Sequence, residues 1–146
     1  MLDQTFGRVY TKFKLHFYKQ IFSRFEDREA TLTTVESFCM EVIMALGEPT
    51  IAQFSHMMNL STPNAAYKIN SLVKKGYVER SRGLEDRRVV YISLSERGRK
   101  AYGHHARFHR EMIESLTSDL SEDEMQTLVK ALMKLNQWFR SKDGQR

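Results

Sequence analysis

Pro63 and Gly76 bracket one helix-length of chain, and beyond Gly76 the hydrophobic period changes. Between them, Ala65, Ile69, Leu72 and Val73 fall on one helical face. Pro63 suits the first position of a helix and Thr62 suits its cap. Gly76 stops the helix behind Lys74 and Lys75, where positive charge favours the helix dipole. Two runs with strand character follow, Tyr77–Arg82 and Val89–Leu94, joined by the charged loop "GLEDRR". Val90, Ile92 and Leu94 alternate as a half-buried hairpin requires. A short helix, "IAQFSHMM", capped by Thr50, precedes the bracketed helix across a tight turn at Asn59-Leu60. Helix, turn, helix and basic hairpin in this order predict a winged helix-turn-helix. Its second helix then leaves Asn64, Tyr67, Lys68 and Ser71 facing outward.

The flanking sequence is helical. Phe6, Val9, Tyr10, Phe13, Phe17 and Ile21 predict an amphipathic helix over 5–25. "TVESFCMEVIMAL", residues 34–46, predicts a second, ended by Gly47 and Pro49. Ser95 caps a long helix over roughly 96–117, and Ser121-Glu122-Asp123-Glu124 forms a capping box for a last helix. Met125, Leu128, Val129, Leu132, Leu135 and Phe139 line one side of that last helix. The fold class is mainly α with a small β-hairpin. The expected layout is a single chain over 1–146 whose winged-helix lobe spans 34–95, with dimerisation helices over 1–30 and 96–142. The apolar surface of the terminal helices is more than one small domain covers, which calls for a second copy.

Charge narrows the partner. Residues 68–110 hold 12 Lys/Arg against 4 Asp/Glu, a net of +8; the remainder holds 11 against 14, a net of −3. A concentrated basic segment in a folded chain points to an anionic partner, most often nucleic acid. No phosphate-cradling glycine loop, G-x-S-x-G or H-E-x-x-H occurs, so no enzyme activity and no cofactor are expected. The single cysteine, Cys39, allows no internal disulfide and lies among apolar residues as a small core residue. With no apolar run long enough to span a bilayer and no visible signal peptide, the expected location is cytoplasmic, with no membrane partner.

"LSTPNAAYKINSLVKKGYVERSRGLEDRRVVYISLSERG" resembles the core of the MarR family of bacterial transcriptional regulators. Asp86-Arg87-Arg88 matches the family's D-x-R wing motif, and Leu94-Ser95-x-x-Gly98 its L-T-x-x-G continuation with Ser in place of Thr. The resemblance implies an obligate homodimer on a pseudo-palindromic double-stranded DNA operator. It implies that Arg88 enters the minor groove and that Asp86 orients it. Arg87 is a candidate phosphate contact. Thr62, Asn64, Tyr67, Lys68 and Ser71 are candidates for groove contacts, and Lys75 and Arg82, with Lys74 and Arg80, for phosphates.

A narrower similarity joins "RRVVYISLSERGRKAYGHHARFHREM" to FabT-like repressors of fatty-acid synthesis. The pattern L-H-x-x-F-H appears as His104-His105-x-x-Phe108-His109. It implies a repressor that answers to a small hydrophobic effector, or to acyl chains on acyl carrier protein. Phe13, Phe17, Phe38, Met40, Met44 and Phe108 suit such an apolar wall, with His105 and His109 for a polar head group. The alternatives are a zinc-responsive regulator using His105 and His109, four apart on a helix, or a DNA-binding protein with no ligand. Two histidines do not complete a zinc site, and Lys19 and Ser37 stand in the approximate region of the further ligands, although Glu36 is close.

Overall fold

Hydrophobic stripes and caps together decide where the elements of this chain begin and end. A computed structural model describes residues 1–23, 31–102 and 104–143; for Ile21, Ser23, Tyr102, residues 104–106 and Asp143 it describes the backbone alone. The elements are α1 (Leu2–Ser23), α2 (Thr34–Leu46), α3 (Ile51–Met57), α4 (Thr62–Lys74), β1 (Val78–Arg82), β2 (Val90–Leu94), α5 (Glu96–Tyr102), α6 (His104–Thr117) and α7 (Glu122–Asp143). Two compact units result, Met1–Tyr102 and Gly103–Arg146. No helix among the described residues is long and apolar enough to cross a membrane.

In the first unit, α2, α3, α4 and α5 all start on side-chain caps. Thr33 and Glu36 form a capping box on α2, with Thr33 N–H donating to Glu36 Oε2 at 2.8 Å. Thr50 and Gln53 do the same on α3. On α4 the cap is Ser61, whose Oγ accepts from the Asn64 N–H at 3.4 Å. Thr62, expected to be the cap, is instead the first helical residue. Adjacent Ser and Thr are near-equal caps, and local pattern does not separate them. The turn between α3 and α4 is fixed by Ser55 Oγ donating to the Leu60 carbonyl at 2.7 Å. Asn59 takes φ +50 there, a conformation asparagine tolerates.

β1 and β2 pair antiparallel from Val78 opposite Leu94 to Arg82 opposite Val90. The loop before α3 adds a short bridge, Thr50 to Tyr91, and the Ile92 N–H donates to the Pro49 carbonyl at 2.9 Å. The hairpin is thereby fastened to α2 and α3 as well as to itself. Cys39, Met40, Phe54, Ala65, Ile69, Leu72 and Ile92 have no solvent exposure and form the centre of the core. Cys39 is thus the core residue its neighbours implied. Ser95 caps α5 by accepting from the Gly98 N–H at 3.0 Å. Gly98 is required by close approach, since a Cβ there would stand 2.2 Å from the Tyr77 carbonyl oxygen.

The second unit holds α6 and α7. Ser121 and Glu124 form the expected box at the start of α7, with Ser121 N–H donating to Glu124 Oε2 at 2.8 Å. The stretch expected as a helix over 96–117 is helical on both sides of Gly103, as α5 and α6; Gly103 itself lies outside the described residues.

Ile69→Ala is expected to destabilise the chain by about 2–5 kcal/mol, because it opens a cavity in a fully buried stripe. Asn64→Ala, on the opposite face of α4, is expected to stay within about 0.5 kcal/mol of wild type. Urea unfolding of the two variants checks the difference.

Candidate nucleic-acid interface

Because one face of α4 is fully buried, the other must look outward. Thr62, Asn64 and Tyr67 are exposed, Tyr67 at 75%, and Lys68 is half-buried beside them. Next to this face lies a concavity of about 520 Å³ lined by Tyr67, Asn70, Ser71, Val73, Lys74 and Arg80. Arg80 on β1 reaches back across it, its guanidinium donating to Asn70 Oδ1 on α4. A basic strand residue is therefore held against the polar face of the helix.

The loop between β1 and β2 is braced by three hydrogen bonds. Gly83 N–H donates to the Val89 carbonyl at 2.9 Å and Val89 N–H to the Asp86 carbonyl at 3.1 Å. Asp86 Oδ1 accepts from the Arg88 N–H at 2.9 Å. Asp86 thus sets the backbone at Arg88, the kind of Asx turn that shapes a loop from within. A Cβ on Gly83 would stand 2.7 Å from the Asp86 carbonyl oxygen, so the turn closes only around glycine. Arg82 ends β1 exposed, and Leu84, Asp86, Arg87 and Arg88 are exposed on the loop. These positions gather on the first unit with the outer face of α4.

Two of the sequence candidates turn elsewhere. Ser71 Oγ donates to Glu36 Oε1 at 2.7 Å, and Lys75 Nζ donates to Glu36 Oε2 at 2.7 Å and to the Thr31 carbonyl at 2.8 Å. Burial pushes the Glu36 carboxyl up, but the Lys75 ammonium, the Thr33 N–H and the Ser71 hydroxyl outweigh it and hold the pKa at about 2. Glu36 is the residue that helical spacing alone does not reveal. Its only local signal is the Thr33-x-x-Glu36 box, and its partners lie 35 and 39 residues away.

The residues proposed for an effector fall on both units. Phe17 and Phe38 are half-buried with ring centroids 5.8 Å apart, while Phe13 and Met44 are exposed in the same unit. Met40 is fully buried in the core and offers no wall. Phe108 and His109 lie on α6 in the second unit, half-buried and exposed respectively. The side chains of His104 and His105 lie outside the described residues.

Comparison with known proteins agrees with this geometry. Residues 20–104 match the family model for transcriptional regulators SarA/Rot. The HTH-type transcriptional regulator YwhA of Bacillus subtilis is 31% identical over 106 residues, covering 73% of this chain and 76% of its own. The crystal structure of Streptococcus pneumoniae FabT in complex with DNA is similar at 27% identity and a TM-score of 0.55, over 93% of this chain and 98% of that one. A mutant MarR from E. coli, complexed with operator DNA, shares the fold at 21% identity and a TM-score of 0.51, over 88% and 91%. The chain belongs to the SarA/Rot family of transcriptional regulators and has the winged-helix fold of MarR-type regulators. It is a transcriptional regulator with a DNA-binding winged-helix fold; its relatives are regulators and not enzymes.

The Glu36 carboxyl is depressed in the fold, so the stability it contributes is present above the ordinary carboxylate pKa, near 4.5, and lost as pH falls toward 2. Urea midpoints followed from pH 5 to pH 2 are expected to drop less steeply in Glu36→Gln than in wild type.

Proposed function

We propose that the chain acts as a cytoplasmic homodimeric repressor that reads a pseudo-palindromic site in double-stranded DNA. The observation that carries this reading is the pairing, on one unit, of an outward polar face on α4 with a braced wing bearing Arg87 and Arg88. An α-helix fits the major groove and a hairpin tip reaches the neighbouring minor groove. Thr62, Asn64, Tyr67 and Lys68 then face base edges and backbone, Arg88 enters the minor groove, and Arg82 and Arg87 meet phosphates. Arginine gains there from the enhanced negative potential of narrow A·T-rich segments.

The dimer is supported by apolar faces that the chain itself leaves open. Phe6, Val9, Tyr10 and Phe13 on α1, and Val129, Leu132, Trp138 and Phe139 on α7, are all exposed. Such surface on helices marks an interaction site. Two-fold symmetry places the half-sites about one helical turn apart. Sedimentation at micromolar concentration is expected to give a dimer. Arg88→Ala is expected to weaken binding to a duplex selected from a randomised pool by about 1–3 kcal/mol while the fold is kept. A monomer, or unchanged affinity, defeats the reading.

The effector proposed is an acyl-type hydrophobic molecule. The similarity to FabT, the Phe17–Phe38 contact, and the exposure of Phe13 and Met44 in the same unit support it. Flexible methionine and flat phenylalanine surfaces suit a hydrocarbon chain. An effector shifts DNA affinity only by its differential affinity for two states of the dimer. Long-chain acyl ligands, free or on acyl carrier protein, are therefore expected to change the affinity for the selected duplex. A response to zinc alone, reversed by chelator and lost in His109→Ala, would replace the lipid reading with the metal one.

A further inference from the structure

Three ion pairs among the described residues differ sharply in setting. Lys100–Glu96 and Arg107–Glu111 each join neighbouring turns of one helix and are 58–80% exposed. Pairs of that kind add little to a structure. Glu36–Lys75 joins two different helices, with side chains only 10% and 30% exposed. Three donors to the Glu36 carboxylate come from different parts of the fold. Thr33 N–H, at 2.8 Å, is the start of α2. Ser71 Oγ, at 2.7 Å, is the last turn of α4. Lys75 Nζ, at 2.7 Å, comes from the residue that caps α4, and it also holds the Thr31 carbonyl ahead of α2. From the other side, Arg97 of α5 donates to the Lys75 carbonyl at 2.9 Å. The C-terminal end of α4 is therefore clamped between α2 and α5.

A carboxylate so near a DNA-binding face is unfavourable for binding by charge alone, because it repels phosphates. Its presence calls for a compensating role.

We propose that Glu36 is a positioning residue for DNA recognition: by holding Ser71 and Lys75 it sets the orientation of α4, and Lys75 serves the operator through this clamp and not as a phosphate contact. The proposal rests on the reading of α4 as the recognition helix. Lys75 directed into the protein has its ammonium already engaged by a carboxylate and a carbonyl. The clamp also ties the recognition helix to the chain ahead of α2, so displacement at Thr31 is transmitted to α4 through one side chain.

The two roles of Lys75 give opposite signs for Glu36→Gln. Glutamine keeps an oxygen for the α2 cap but removes the charge that holds Lys75. If Lys75 were a phosphate contact, Glu36→Gln would release it and raise affinity for any duplex. If the clamp positions α4, affinity for the selected duplex falls by roughly tenfold, the scale on which residues remote from a ligand modulate binding. Affinity for a scrambled duplex of the same composition does not fall. Lys75→Met is expected to match Glu36→Gln, to leave the salt slope of binding unchanged, and to add nothing in the double variant. In the free proteins, hydrogen exchange at the amides of Leu72 to Tyr77 is expected to quicken in both variants.

Unchanged or increased affinity of Glu36→Gln for the selected duplex overturns the proposal, as does a salt slope reduced by about one in Lys75→Met. Unaltered exchange at the end of α4 also overturns it, independently of DNA. Failure of the wild-type protein to enrich any duplex would instead strike the recognition reading itself.

Discussion

Everything in the winged-helix unit follows from the burial of one stripe, Ala65, Ile69 and Leu72, against Cys39, Met40, Phe54 and Ile92. Each large side chain removed from water there contributes about 1.5–3 kcal/mol, so α4 has one low-energy rotation about its axis. That rotation determines what remains outside: Thr62, Asn64 and Tyr67. It also brings Arg80 of the following strand against Asn70. The polar face is thus a consequence of the core, and a change in the stripe would turn the face as well as weaken the fold.

Much of this arrangement is legible in the chain itself. The bracket of Pro63 and Gly76, the period-two run at Val90, Ile92 and Leu94, and the caps at Thr50, Ser95 and Ser121 are short-range signals, and α2, α3, α4 and the hairpin appear within a residue of where they point. What local pattern misses is whatever depends on contacts far along the chain. Ser71 and Lys75 read as outward polar residues because a helical wheel has no knowledge of Glu36. Met40 reads as a flexible wall residue, yet it fills the core. Asp86, which the family resemblance makes the residue that orients Arg88, accepts the Arg88 N–H.

The same distinction applies to charge. A net of +8 over residues 68–110 suggests a broad positive field. Several of its cations are committed to the protein. Lys75 is held by Glu36, Arg97 lies 4.5 Å over the Tyr77 ring, and Arg99 donates to the Leu94 carbonyl. Lys100 and Arg107 have acidic neighbours one turn away. The wing contributes three exposed cations of its own, Arg82, Arg87 and Arg88.

Cys39 carries a consequence of a different kind. It is the only cysteine in the chain, it has no solvent exposure, and burial pushes its thiol pKa up to about 11. At neutral pH the thiolate fraction in the closed core is on the order of one in ten thousand, so the sulfur is chemically silent there. On opening, it returns to an ordinary thiol, several hundred-fold or more reactive by ionisation and access together. The rate at which a thiol reagent labels the native protein is therefore gated by transient opening of the winged-helix core. The molecule contains its own reporter of that motion, placed at the point where α2 meets the stripe of α4.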